Sequence, residues 1–153
     1  MISTTAEYAL RALTQLAAQP AGSAILGREL AGQSGVPANY LAKILLSLRN
    51  AGMVTTNRGT GGGYRLSRPA QRIRLIEVVE LFDGAALHNA CILGRDRQCS
   101  ETTPCSAHGA WRRVRRSYNQ FLARTTVADI SAHAGPGPSL GRSARKHNSA
   151  KRA

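Results

Sequence analysis

The chain is short of acids, of aromatic residues and of long apolar runs, and each shortage narrows what it can be. Only 8 of its 153 residues are Asp or Glu, against 21 Lys and Arg. No paired carboxylates and no nucleophile–His–acid set stand out, so the sequence offers no catalytic constellation. Aromatic residues make up 5% of the chain, which leaves Leu, Val, Ile and Ala to fill a modest core. No apolar run approaches the ~20 residues needed to span a bilayer. The N-terminus starts a helical pattern at once, without a charged region followed by an apolar stretch, so the expected location is the cytoplasm and no membrane partner is expected. Cysteine is also scarce. The three residues, an odd number, all lie between Cys91 and Cys105. In a reducing compartment such a cluster reads as a metal site rather than as a disulfide framework.

What is abundant is positive charge. The formal net charge is +13 at pH 7. A small, folded and very basic protein usually meets a polyanion, with nucleic acid the first candidate and an anionic membrane surface the second. The plain alternative is a solvated basic surface with no such partner. From residue 132 onward the chain is Gly, Pro, Ser and basic residues with no acid, and reads as a disordered basic tail. Removing its five charges (Arg142, Arg145, Lys146, Lys151 and Arg152) leaves +8 on the remainder, so the basic character is not confined to the tail.

Periodicity predicts the elements. A first helix begins near Thr4, with Thr4 and Glu7 at capping-box spacing, and carries Ala6, Ala9, Leu10, Leu13, Leu16 and Ala17 at helical intervals. A second helix covers roughly Gly27 to Ser34, with Ile25, Leu26 and Leu30 turned inward. Pro37 suits the first turn of a third, whose apolar face runs Tyr40, Leu41, Ile44, Leu45 and Leu48 before Gly52 stops it. Met53–Thr56 and Tyr64–Leu66 are β-rich and flank four glycines in the seven residues from Asn57 to Gly63, the pattern of a hairpin with a long tip. A fourth helix spans about Leu75 to Phe82 and ends at Gly84. A fifth is expected from about Cys105 to Ile130, with Trp111, Val114, Tyr118, Phe121, Leu122 and Thr125 on one stripe. A lone helix of that length needs a partner for its stripe, and a second copy of the chain is the economical one. No internal repeats are present. The expected fold is mainly α with a small β-hairpin: a winged helix-turn-helix over residues 1–84, a cysteine loop and dimerisation helix over 85–131, and the tail over 132–153.

Ala31 and Gly35 are the small residues a tight helix-turn-helix corner requires. Residues near the N-terminus of a recognition helix reach base edges in the major groove, and here these are Asn39, Tyr40 and Lys43. Asn bonds adenine bidentately, and Lys donates to guanine or phosphate. On the wing, Gly61 and Gly62 make a slim tip that fits a minor groove, where the single Arg58 senses groove width and potential. The glycine run lacks the Lys-Ser/Thr of a phosphate-binding loop and sits on a hairpin rather than before a helix, so it is not read as a nucleotide site.

Cys91-x7-Cys99-x5-Cys105-x2-His108 is the second informative pattern. Thiolates select soft metals, either zinc or iron in clusters. Cys105 is placed at the start of the fifth helix and His108 on the same face three residues later. Buried structural cysteines fit poorly with the polar residues around them. A Cys3His zinc site and a metal-free thiol switch both remain open at this point.

The opening Glu7-Tyr8-Ala9-Leu10-Arg11-Ala12-Leu13 and the wing Arg58-Gly59-Thr60-Gly61-Gly62-Gly63-Tyr64 are two parts of one pattern. Cys91-Ile92-Leu93-Gly94, Cys99-Ser100, Pro104-Cys105, His108 and Trp111 complete it. Together they resemble the bacterial regulator family that includes IscR, NsrR, RirA and BadM, over residues 1 to about 130. The resemblance implies a homodimer of winged-helix heads crossed by the fifth helix. It implies an iron–sulfur cluster, [2Fe–2S] or [4Fe–4S], on the three cysteines, and control of binding to double-stranded operator DNA by the state of that cluster, most simply as a repressor. Iron status, nitric oxide and redox stress are the signals such a cluster reads. Members differ in the fourth ligand. One branch uses a histidine just past the last cysteine, which His108 matches and which is the preferred reading. Another uses an acid of the partner subunit's first helix, at a position matching Glu7. The spacing of the first two cysteines departs from the histidine branch.

If Arg58 enters a minor groove, Arg58→Ala weakens operator binding by ~1–3 kcal/mol at matched salt and leaves metal content unchanged. Titration of a labelled operator checks both points, and unaltered affinity removes Arg58 from the interface.

Overall fold

The computed structural model describes residues 2–57, 59, 62–84, 91–94 and 99–131. The expected wing residues Arg58 and Gly61, and the whole tail, lie outside the described residues. Helix α1 spans Thr4–Ala17, α2 Gly27–Ser34 and α3 Ala38–Asn50; strands β1 (Val54–Asn57) and β2 (Gly63–Leu66) follow. A 3₁₀ turn at Ala70–Arg72 leads into α4 (Leu75–Asp83), α5 (His108–Arg124) and α6 (Val127–Ser131). The strands pair antiparallel from Val54 opposite Leu66 to Asn57 opposite Gly63. The architecture is therefore mainly helical with a two-stranded hairpin, in the order expected of a winged helix-turn-helix. Among the described residues, no helix is long and apolar enough to cross a membrane.

The core is built on α1. Ala6, Ala9, Ala12 and Leu13 have no exposed surface, and small side chains on that face let several partners approach. Helix α1 accordingly touches α2, α3, α4, α6 and β2. Leu30, Leu41, Ile44, Leu45 and Leu48 close the helix-turn-helix around it. Each such fully buried Leu or Ile contributes roughly 1.5–3 kcal/mol of apolar transfer. Leu26, expected inside, is 40% exposed because it occupies the N-cap position of α2, where the backbone is still extended. Tyr40 likewise leaves the apolar face of α3 and is 55% exposed.

Three other expectations shift. The cap of α1 is Ser3, whose Oγ accepts from the Ala6 N–H at 3.1 Å, in place of Thr4. Glu7 turns away from the helix start and pairs with Arg11 at 2.6 Å, one turn on. Pro37 sits at the N-cap of α3 rather than inside its first turn.

The largest correction concerns the fifth helix. It starts at His108, not Cys105, and ends at Arg124, where Thr125 turns extended (φ −91°, ψ 134°). The Thr126 N–H and hydroxyl both donate to Asp129 Oδ2 at 2.8 Å, and the Asp129 N–H reaches back to Thr126 Oγ1. This reciprocal cap starts α6, and it holds the Asp129 carboxyl below the usual range. The extended stretch docks on the chain before α4: Leu75 N–H donates to Thr125 O, and Val127 N–H to Ile73 O. Val127 and Leu122 thereby enter the same buried cluster as α1. The predicted stripe splits in consequence. Leu122 is 2% exposed and Tyr118 half-buried, while Val114 and Phe121 face outward at 56% and 52%. Near Tyr118, the Ser3 N–H and hydroxyl donate to Asp83 at the end of α4. Burial, with the Asp83 charge close by, raises the Tyr118 phenol above its ordinary pKa.

The wing is tied to the head at its base. Ile25 and Tyr64 exchange backbone hydrogen bonds of 3.0 and 2.8 Å, which extends the hairpin onto the chain before α2. Gly63 makes this approach possible: at φ +152°, an added Cβ would lie on the Ile25 carbonyl, 2.6 Å from its carbon. Gly63→Ala is expected to cost about 1–3 kcal/mol in backbone strain alone, and to free the hairpin from Ile25. A lower unfolding midpoint together with faster amide exchange at Ile25 and Tyr64 checks this; a wild-type midpoint refutes it.

Candidate functional site

Two constellations can carry function, one on α3 and the wing, the other on the cysteine loop and the start of α5. At the corner between α2 and α3, Gly35 adopts a left-handed conformation (φ 66°) and its N–H returns to Ala31 O. The turn then delivers Asn39, Tyr40 and Lys43 to the exposed side of α3. That helix contains no acid, and no side chain among the described residues caps its N-terminus, so its first-turn amides and its cationic residues suit phosphate.

Tyr40 is held from behind. Its ring meets Tyr8 of α1 edge-on, with centroids 6.3 Å apart, and the Arg11 guanidinium lies 5.9 Å from the Tyr8 ring centroid. The positions of α1 and α3 are thus coupled through aromatic contact next to the residues expected to read DNA. Gly62 has a structural reason to be glycine: a Cβ there would stand 2.6 Å from Asn57 O and 2.8 Å from Gly59 O. The tip closes on itself through the Gly62 N–H, which donates to Gly59 O at 2.8 Å.

The sulfurs of Cys91, Cys99 and Cys105 lie within 4.8 Å of one another. None is in a disulfide, and each is half-buried. Local turns bring them together. The Gly94 N–H donates to Cys91 O at 2.9 Å with Gly94 at positive φ. Ser100 Oγ gathers the N–H groups of Thr102 and Thr103, which bends the chain back from Cys99 toward Cys105. Two close donor pairs result: Cys91 Sγ and Cys105 Sγ at 3.9 Å, and Cys99 Sγ and His108 Nδ1 at 3.2 Å. A backbone hydrogen bond at Cys105 favours the Cys99 thiolate, but desolvation and the adjoining Cys105 and Cys91 sulfurs outweigh it and raise its pKa. Three thiolates this close repel one another, and a bound cation relieves that repulsion. Glu7, by contrast, is engaged with Arg11 on α1 of the same chain.

Residue types alone did not reveal the setting of the histidine. The His108 side chain is only 14% exposed, and its Nε2 lies 3.6 Å from Glu101 Oε1, the oxygen that also accepts from Arg112. The Arg112 hydrogen bond, aided by His108, holds the Glu101 carboxyl below its ordinary pKa. Spacing could have flagged Arg112, which lies one turn beyond His108 on α5. Glu101 is in an irregular loop, where no period applies.

The chain as a whole is similar to several known proteins. A Mycobacterium tuberculosis protein named as an HTH-type transcriptional regulator is 36% identical over 136 residues, 88% of this chain and 83% of its own. An Rrf2-like regulator of Rhodobacter capsulatus is 31% identical over 147 residues, covering 92% and 98% of the two chains. Among solved structures, CymR of B. subtilis, described as the global cysteine regulator, superposes with a TM-score of 0.74 at 24% identity, over 88% of this chain and 98% of its own. IscR of T. potens does so at 0.68 and 23%, over 90% and 93%. These two establish likeness of fold. Residues 2–133 match the Rrf2 family, described as iron-dependent transcriptional regulators. The chain belongs to the Rrf2 family and is a DNA-binding transcriptional regulator of the helix-turn-helix type rather than an enzyme.

Proposed function

We propose that the protein is a repressor that binds a two-half-site operator as a homodimer and senses its signal through an iron–sulfur cluster on Cys91, Cys99 and Cys105. His108 is the fourth ligand in this reading. The observation that carries it is the meeting of three cysteine sulfurs within 4.8 Å, beside an imidazole nitrogen, at the foot of a helix that packs on α4 of the head. Three thiolates and one neutral imidazole are a donor set that iron–sulfur clusters accept. Such a cluster supplies iron that reacts with oxidants and nitric oxide. The protein's own residues hold it, limit its exposure and connect it to the heads. His108 is favoured over Glu7 because the imidazole already stands 3.2 Å from Cys99 Sγ, whereas Glu7 is paired with Arg11.

Residues 1–84 act as the DNA-reading head and 85–131 as the sensing and dimerising unit. Val114 and Phe121, seven residues apart on α5 and outward-facing, form the seam for a second copy. A change at the cysteine loop then alters the spacing of the two heads, and with it affinity for the operator. Asn39, Tyr40 and Lys43 read the major groove, and Arg58 with Gly61 and Gly62 the minor groove.

A second reading has its own support. Two thiolates on one tetrahedral zinc ion are about 3.8 Å apart, given Zn–S bonds of about 2.3 Å, and Cys91 and Cys105 stand at 3.9 Å. In that case the site is a structural zinc knot without sensing.

Purification without oxygen separates the two. The cluster reading expects brown protein containing iron and sulfide, whereas stoichiometric zinc without either overturns it. Cys91→Ser, Cys99→Ser and Cys105→Ser are each expected to yield colourless or unstable cluster with helical content retained, and His108→Ala a milder loss. Bleaching by Glu7→Gln with an intact His108→Ala variant transfers the fourth ligand to Glu7. For the dimer, Phe121→Glu or Val114→Glu places a charge in the seam at a cost of several kcal/mol if unpaired, and sedimentation should show monomer. A dimer of undiminished affinity in both variants refutes the seam.

A further inference from the structure

We infer that Glu101 is a positioning residue for the metal centre: with Arg112 behind it, it fixes the orientation of His108 so that Nδ1 faces the thiolates. This rests on the proposal that Cys91, Cys99, Cys105 and His108 hold a metal, and it applies to iron and to zinc alike.

The geometry is specific to the two ring nitrogens. A neutral imidazole has one N–H donor and one lone-pair nitrogen, and only the latter binds a metal. Nε2 of His108 is buried and has no hydrogen-bond partner among the described residues, and a Glu101 carboxylate oxygen lies 3.6 Å from it. A closure of about 0.5 Å brings that pair within hydrogen-bond range. An ionised carboxylate only accepts, so the proton belongs on Nε2 and the lone pair on Nδ1. Nδ1 is the atom 3.2 Å from Cys99 Sγ. A carboxylate on the far nitrogen of a ligating histidine fixes its tautomer and raises its basicity.

Arg112 gives Glu101 its direction. It follows His108 by one turn of α5, so one helix face carries both the ligand and the cation that anchors the carboxylate. Glu101 is 69% exposed, and as a lone surface pair with Arg112 it would matter little. The loop does not need its side chain. Ser100 Oγ, with Thr102 and Thr103, shapes the turn, so removing the carboxylate leaves the backbone path intact.

The test uses the full chain purified without oxygen, with Glu101→Ala, Glu101→Asp, Arg112→Gln and His108→Ala variants. Loss of metal to a chelator is followed: a ferrous chelator for iron protein, a zinc indicator for zinc protein. Glu101→Ala should weaken retention about 10–100-fold, Arg112→Gln less, and Glu101→Asp should recover most of it. Melting of the metal-free protein should be the same in all. Histidine labelled with 15N at Nδ1 reports the bound nitrogen, through hyperfine coupling in reduced iron protein or 15N–1H correlation in zinc protein, with His108→Ala identifying the signal. Direct Nδ1 coordination in wild type, and mixed Nδ1 and Nε2 signals in Glu101→Ala, support the inference. Wild-type retention in Glu101→Ala, coordination through Nε2, or indifference of the metal to His108→Ala overturns it. Finding zinc in place of iron overturns the cluster reading and leaves the role of Glu101 standing.

Discussion

Everything in this fold depends on how closely other elements approach α1. Its inner face carries Ala6, Ala9 and Ala12 without exposed surface, and alanine adds little bulk between backbones. Four helices and the wing therefore converge on one short helix. A larger residue at any of the three would push an element outward, and interiors packed at crystal density have no slack for that. Helix α3, the base of the wing, α4 and α6 all take their positions from the same 14 residues, and α5 takes its own from α4.

In the sensing reading proposed above, that shared reference is what would link the cysteine loop to the head. Helix α5 rests on α4, and α6 rests on α1. The Ser3–Asp83 contact ties the N-terminus of α1 to the end of α4, where the chain leaves for the cysteine loop. On the other side, Tyr8 of α1 touches Tyr40 of α3. Among the described residues, packed contacts run from α5 through α4 and α1 to Tyr40 on α3.

Much of this was legible from spacing. The boundaries of α2, the corner at Ala31 and Gly35 and the hairpin around the glycine run follow from local rules: a left-handed turn needs glycine, and an amphipathic helix repeats every three to four residues; the clustering of the three cysteines in sequence also pointed to their meeting in space. Two departures have different causes, one long-range and one local. Periodicity reads about Cys105 to Ile130 as one helix, although Thr126 and Asp129 have the spacing of a cap and Thr125, Thr126 and Val127 are all β-branched. The break gains backbone hydrogen bonds to Ile73 and Leu75, partners some fifty residues away that no local window contains. Thr4 and Glu7 match a capping box as well as any pair, but Ser3 stands one residue earlier and Arg11 competes for Glu7.

The sequence by itself determined which residues can bend, which can be buried and which can bind metal, because those are properties of single side chains and short spacings. It also determined the positive charge, and with it the class of partner. Only the tertiary structure decided that the outer stripe of α5 divides into Leu122 inside and Val114 and Phe121 outside. It alone decided that Tyr40 leans on Tyr8 and that His108 has Cys99 at one ring nitrogen and Glu101 near the other. These are relations between segments distant in sequence or joined by irregular chain, and they exist only once packing around α1 has set where each segment lies.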